Sequence, residues 1–265
     1  MKVFISADIE GITTTTIWPQ CTKGEHGYEA ACAQMTREVA AACEGAIAAG
    51  ADRIVVKDSH SSATNIDPNG LPEGVELIRG WSGHPYSMVT GVDSSFDAAM
   101  FVGYHSCANR EGNPLSHTMS TDPFWVKING VKTSEFMLYS WACALEGVPT
   151  VFLAGDQMLC DDSQGLHPAL MTVPVKSGMG ALTHSLHPAT ACKKIKETAE
   201  LALKQDLSKA LCTMPDHFVM EICYRQQTLA NKRSYFPGFE KVDDNTIRME
   251  TDSYFEVLRA ATFLL

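Results

Sequence analysis

The sequence predicts an α/β fold, a mainly parallel sheet with helices on both faces, followed by a smaller C-terminal α+β region. Three observations carry this. Continuous apolar runs of strand length recur from Val3 to Leu153, as expected for strands buried on both faces. Proline-free helical stretches separate several of these runs, which is the order a parallel sheet requires. Beyond residue 170 the composition shifts to a charged amphipathic helix and alternating segments.

In chain order, Val3-Phe4-Ile5 forms the first strand, closing at Ser6-Ala7-Asp8-Ile9-Glu10-Gly11. The Ala-rich stretch from Gly27 to Gly50 contains no proline and only Gly45 internally, so it suits a helix. Arg53-Ile54-Val55-Val56 is the second strand, followed by Lys57-Asp58-Ser59-His60. Val75 to Ile78 is the third, Ala98 to Val102 the fourth (ending at Gly103-Tyr104-His105), and Thr150 to Leu153 the fifth (ending at Ala154-Gly155-Asp156). Between the last two, Val126 to Val131 reads as a β-hairpin turning at Asn129-Gly130, and a helix runs from about Ser134 to Glu146. Further on come a helix from Ala189 to Gln205, strand-like segments at His217–Cys223 and Thr246–Glu250, and a final helix from Tyr254. The expected division is a metal-site domain over 1–175 and a smaller region over 176–265, with a soft boundary because no Pro/Gly/Ser-rich linker marks it.

Composition excludes several function classes. A formal charge of −10 argues against general nucleic-acid binding, which needs a basic face. No apolar stretch is long enough to span a membrane, and the N-terminus lacks the cleavage site of a signal peptide. The nine cysteines are scattered, odd in number and without a CxxC pair; several fall on apolar helical positions where thiols act as small hydrophobes. These features point to a reducing, cytoplasmic setting.

The informative polar residues fall at strand ends. Asp8 and Glu10 follow the first strand, His60 the second and His105 the fourth. In a parallel sheet the carboxyl ends share one edge, where open α/β folds bind ligands. Asp8 and Glu10, two apart on an extended segment, are expected to point the same way. Two carboxylates converging with two imidazoles suit a borderline-soft divalent ion such as zinc. Each residue alone has a commonplace explanation, since an Asp at a strand end is often a cap or turn former. His117, on the polar loop Pro114 to Met119, can reach the same edge. Glu135, taken alone, reads as an acid complementing a helix dipole. Lys176 reads equally as a solvated lysine after a strand or as a partner for a substrate carboxylate or an oxyanion.

Ser6-Ala7-Asp8-Ile9-Glu10-Gly11 resembles the SxDxEG signature of the D-aminopeptidases of DppA type, peptidase family M55. The likeness continues through Asp58-Ser59-His60, Gly103-Tyr104-His105, Ser116-His117-Thr118-Met119, Asn129-Gly130 with Glu135, Ala154-Gly155-Asp156 and Val175-Lys176. The resemblance implies a site for two zinc ions: Asp8 bridging, Glu10 and His105 completing one half, His60 and Glu135 the other. Two Zn²⁺ against three carboxylates leave one positive charge, which a bound hydroxide neutralises. His117 matches the residue assigned as catalytic, read here as a general acid/base or oxyanion stabiliser beside a zinc-activated hydroxide. The implied substrates are short peptides or amino acid amides, with N-terminal D-residues, and the implied assembly is a ring-like homo-oligomer, decameric by resemblance. The stretch after Gly11, from Thr13 to Lys23, departs from the family pattern, and with it the pocket walls that set specificity.

Two other readings compete. Asp8-Ile9-Glu10-Gly11-Ile12-Thr13 also resembles the DxDGT opening of haloacid-dehalogenase-like phosphatases, with Asp8 as phosphoryl acceptor and Mg²⁺ as the ion. Against it, Glu10 replaces the second Asp, and histidines are ligands Mg²⁺ does not select. The third reading is a non-catalytic zinc-binding assembly subunit, although structural zinc sites are usually closed by four ligands, often cysteines.

Overall fold

The computed structural model describes residues 1–167 and 169–265. Its elements run β1 (Lys2–Ala7), α1 (Tyr28–Ala48), β2 (Arg53–Asp58), β3 (Glu76–Ile78), β4 (Ala98–Tyr104), β5 (Pro123–Ile128), β6 (Val131–Lys132), α2 (Glu135–Leu145), β7 (Thr150–Asp156), α3 (Gln157–Leu166), β8 (Met171–Met179), β9 (Leu182–Ser185), α4 (Pro188–Lys204), β10 (Phe218–Tyr224), α5 (Gln227–Arg233), β11 (Glu240–Lys241), β12 (Thr246–Thr251) and α6 (Tyr254–Leu264). The main sheet has the order β3-β2-β1-β4-β7-β8-β9 and is parallel except for the β8–β9 hairpin. A second, antiparallel sheet has the order β11-β12-β10-β5-β6.

The expected α/β architecture is the one observed. Strand β4 is buried along its whole length, as its unbroken apolar run requires. On one face of the main sheet, Val3, Ile5 and Val56 pack with Val39 of α1 and Ile195 of α4. On the other, Phe4 and Phe101 pack with Phe136 of α2 and with Val126, Ile222 and Ile247 of the second sheet. The chain crosses between the sheets three times, from β4 to β5, from β6 back to β7 and from β9 to β10, and α4 packs on α1 before the last crossing. The β5–β6 hairpin turns at Asn129-Gly130, both with positive φ (50° and 80°), as the Asn-Gly pair predicts. Among the described residues, no helix is long and apolar enough to cross a membrane.

Five elements were not legible as such, the short strands β9 and β11 among them. Strand β8 carries Pro174 and Lys176 within its run, and α3 is polar and ends beyond Gly165. Helix α5 is a short polar segment.

The strand ends are shaped by backbone contact. Gly11 donates its N–H to the Gly103 carbonyl at 2.7 Å, and Asp8 donates to Val102 at 2.9 Å. A Cβ on Gly11 would lie 1.8 Å from the Tyr104 carbonyl oxygen; one on Gly103, whose φ is +78°, would lie 2.1 Å from that of Asp8. The chain therefore curls over β4 directly after β1, and Asp8-Ile9-Glu10 sits in a bend and turn rather than the extended segment expected. Because the clash is with backbone, Gly11→Ala is expected to cost at least about 3 kcal/mol. Thermal unfolding should show this as a Tm lowered by roughly 6–12 °C; an unchanged Tm would mean that the curl can open without loss.

Candidate metal centre

All six residues singled out at strand ends, on the His117 loop and at the start of α2 meet at one edge of the main sheet. Nδ1 of His60 lies 3.4 Å from Asp8 Oδ1 and 3.1 Å from Glu10 Oε2. Nε2 of His105 lies 3.5 Å from Asp8 Oδ2 and 3.6 Å from Glu135 Oε2. Nε2 of His117 lies 3.6 Å from Glu135 Oε1, and the His105 and His117 rings stack with centroids 4.4 Å apart. Asp8, Glu10, Glu135 and His105 are all nearly inaccessible to solvent.

Each element delivers its residue for a local reason. Glu135 is the first residue of α2, whose N-terminus is capped by the Ser134 hydroxyl accepting from the Met137 N–H; the β5–β6 hairpin carries that helix start back to the sheet edge. One carboxylate oxygen of Glu135 accepts from the Met119 N–H at 2.6 Å, tying α2 to the His117 loop. His105 follows β4, and its neighbour Ser106 is held by Asp156 at the end of β7, through both N–H and hydroxyl at 2.6 Å.

The imidazoles share one arrangement. With the N–H placed to meet each carbonyl, Nε2 of His60 donates to the Cys21 carbonyl at 2.7 Å, Nδ1 of His105 to that of Ser106 at 2.9 Å, and Nδ1 of His117 to that of Leu115 at 2.8 Å. In every case the other nitrogen faces the carboxylates. A backbone carbonyl fixing one nitrogen while the second is presented is the usual support for a metal-binding histidine.

The electrostatics make the same demand. Burial, together with the charge of Glu10, pushes Asp8 up to about 8. Burial opposes charge on His60, yet Glu10 and Asp8 raise it to about 12; His105, likewise buried, is raised to about 10 by Glu135 and Asp8. Burial alone would raise Glu10, but His60 holds it well below the usual carboxylate range. Asp8 Oδ2, Glu10 Oε2 and His105 Nε2 have no hydrogen-bond partner among the described residues. Buried acids and orphaned donor atoms gathered this closely fit a bound cation.

The donor atoms cluster within 4.8 Å in two groups, Asp8–Glu10–His105 and His105–His117–Glu135. The first coincides with one half of the site that the family resemblance implies. In the second, His117 rather than His60 stands beside Glu135, while His60 lies against Asp8 and Glu10.

A sequence pattern described as D-aminopeptidase, peptidase family M55, matches residues 1–263. The chain belongs to this family. The D-aminopeptidase of Bacillus subtilis (strain 168) is 29% identical over 262 residues, covering 98% of this chain and 95% of that protein. Among solved structures, a Zn-dependent D-aminopeptidase DppA from Bacillus subtilis, described as a self-compartmentalizing protease, superposes with a TM-score of 0.92 at 28% identity, covering 100% of this chain and 96% of that one. The chain is thus an aminopeptidase-family hydrolase, and the phosphatase reading of Asp8 is set aside by a family match that runs through nearly the whole length.

Around this M55 centre lie residues that sequence reasoning had not assigned. Lys176 is neither solvated nor free to meet a substrate. It is buried in β8 with its ammonium donating to the carbonyls of Glu10 and Thr15, and burial pushes it down to about 8. Asn113 donates to the same Glu10 carbonyl at 2.9 Å, so the backbone of Glu10 is held from two sides. The cleft above the acids has a volume of about 450 Å³, and its walls include Trp18, Trp81, Met88 and Met119. These four come from segments without apolar periodicity, so only the unusual stretch after Gly11 signalled any of them.

Proposed function

We propose that this chain is a zinc-dependent aminopeptidase or amidase acting on short peptides or amino acid amides, with N-terminal D-residues as its substrates. In this reading Asp8, Glu10, His60, His105 and Glu135 hold two zinc ions per subunit, and His117 is the catalytic residue. The observation that carries it is the set of three imidazoles, each fixed through one N–H by a backbone carbonyl, turned toward three buried acids, of which Asp8 and Glu10 keep an oxygen with no hydrogen-bond partner among the described residues. The oxygen-and-nitrogen donor set suits zinc, and the DppA neighbour is Zn-dependent.

When bound, zinc supplies the positive charge that polarises a scissile carbonyl and activates water. The protein's own residues do the rest. The cleft receives the substrate over the acids, and its exclusion of bulk water strengthens every charge interaction within. His117, its Nδ1 proton engaged by Leu115, keeps Nε2 as the proton-handling atom, able to take a proton and return it to the departing amine. The Trp18 ring meets His117 at 5.3 Å and 62°, closing one side of that imidazole and steadying its orientation.

A non-catalytic zinc-binding role accords less well, because the cluster opens into a cleft large enough for a dipeptide and includes more donors than a closed four-ligand site uses. We also extend to this chain the self-compartmentalizing habit of its neighbour, as a ring-like homo-oligomer, decameric by the family resemblance. Exposed Met179 and Leu182 in β8–β9, and Tyr235 and Phe263 elsewhere, provide apolar surface for it. The nine cysteines are all free thiols, in keeping with work in a reducing cytoplasm.

The test is a panel of D- and L-amino acid amides and dipeptides assayed with the zinc-loaded protein. Hydrolysis of D-substrates that disappears on chelation and returns with zinc is the expected result. Failure to turn over any member of the panel in protein carrying its full zinc complement would remove the proposal.

A further inference from the structure

Two indoles dominate the accessible walls of the cleft: Trp18 is 41% exposed and Trp81 44%. They arrive on unrelated segments and are anchored beside different histidines. Trp18 lies on the turn Trp18–Cys21 and meets His117 edge-on. Trp81 donates its Nε1–H to the Ser61 carbonyl at 2.6 Å, the residue next to His60. The thioethers of Met88 and Met119 add adaptable apolar surface to the same cavity.

The positive charges nearby are withheld from the cleft. Among the described residues, no lysine or arginine lines it. Lys57 is fully buried, its ammonium 4.2 Å from the centroid of the Trp81 ring. Lys176 is consumed by two backbone carbonyls. A substrate carboxylate in the side-chain position therefore meets acids and no protein cation. A substrate ammonium gains little from Trp81, whose π-system already faces the Lys57 charge. What the walls can repay is apolar area, and an indole pinned by a hydrogen bond and a buried cation loses little freedom when a ligand settles on it.

We propose that this cleft selects substrates whose N-terminal residue carries an aromatic or large apolar side chain, seated against Trp18 and Trp81. The proposal rests on the aminopeptidase reading and adds a substrate class to it. Trp81 is the specificity-determining residue. Trp18 serves both as a wall and as a positioning residue for His117.

The experiment compares the amides of D-alanine, D-phenylalanine, D-tryptophan, D-glutamic acid and D-lysine, and of their L-enantiomers, on the full-length zinc-loaded protein and on its Trp81→Ala and Trp81→Phe variants. The aromatic amides should exceed alaninamide in kcat/KM by at least about 30-fold, with the charged pair below both. Trp81→Ala should remove about 10-fold of that advantage, chiefly through KM, and Trp81→Phe should restore most of it. Equal rates for alanine and aromatic amides, or an aromatic preference unmoved by Trp81→Ala, would overturn the proposal. If no amide of either hand is hydrolysed, the aminopeptidase reading fails, and quenching of indole fluorescence by the same amides then judges the subsite separately. Tighter binding of phenylalaninamide than alaninamide, lost in Trp81→Ala, upholds it; equal binding refutes it. Circular dichroism of each variant identifies any loss of fold; should Trp81→Ala fail to fold, the parent's ratio of aromatic to alanine rates decides alone.

Discussion

Asp8→Asn abolishes turnover and empties the site of zinc: this is the largest effect expected from any single substitution in the chain. Asp8 has oxygens close to two imidazoles at once, Oδ1 toward His60 and Oδ2 toward His105, and so joins the His60 side of the cluster to the pair that Glu135 joins, His105 and His117. Its Oδ2 has no hydrogen-bond partner, so a neutral amide there offers a donor NH₂ or a weaker oxygen where a charged ligand is wanted. The expected loss in kcat/KM is roughly 10³-fold or more, with zinc per chain, measured by atomic emission, falling toward zero from the two that the proposed site holds. The same change has an opposite consequence for stability. In chelated protein Asp8, pushed up to about 8 by burial and by Glu10, gives up at neutral pH the charge it carries when unfolded, so a neutral amide there should raise the Tm of the zinc-free form above that of the zinc-free parent. A variant that keeps two zinc ions and near-normal turnover would show that Asp8 does not bridge.

His117→Ala should separate proton handling from metal holding. If His117 is the catalytic group, kcat falls by about 10²- to 10⁴-fold while zinc content and KM stay near their original values. His117→Gln, which retains bulk and a hydrogen-bond donor for the Leu115 carbonyl, should likewise keep zinc content without recovering rate. The geometry makes this a sharp test, because His117, His105 and Glu135 present donor atoms within 4.8 Å of one another. Loss of one zinc per chain on substitution would make His117 a ligand and return the proton-handling role to another group.

The parts of this site that could be read from the sequence share a physical cause. Parallel strands bring their carboxyl ends to one edge, so an acid or imidazole directly after an apolar run has a known address before any coordinates exist. Asp8, Glu10, His60 and His105 were legible for that reason. Glu135 was not, because its position depends on the β5–β6 excursion into a second sheet, and only the family resemblance connected it to the others. Strand β8 was hidden by Pro174 and by Lys176, which looks solvated in a linear reading and proves to be a buried clamp on two carbonyls. Trp18 and Trp81 belong to irregular segments, where no periodicity says which way a side chain faces. Their convergence exists only in three dimensions.

The turn Trp18–Cys21 has an implication for how such an enzyme can diversify. Its first residue supplies a wall of the cleft and contacts His117; its last lends a carbonyl to His60. On the proposed roles of His117 and His60, four consecutive residues thus serve recognition, proton transfer and ligand orientation together. A substitution there changes several properties at once, and a lineage or a laboratory library that explores this turn will lose rate as often as it gains scope. The loop bearing Trp81 has no such coupling to His117, which makes it the segment where substrate range can drift while the chemistry persists.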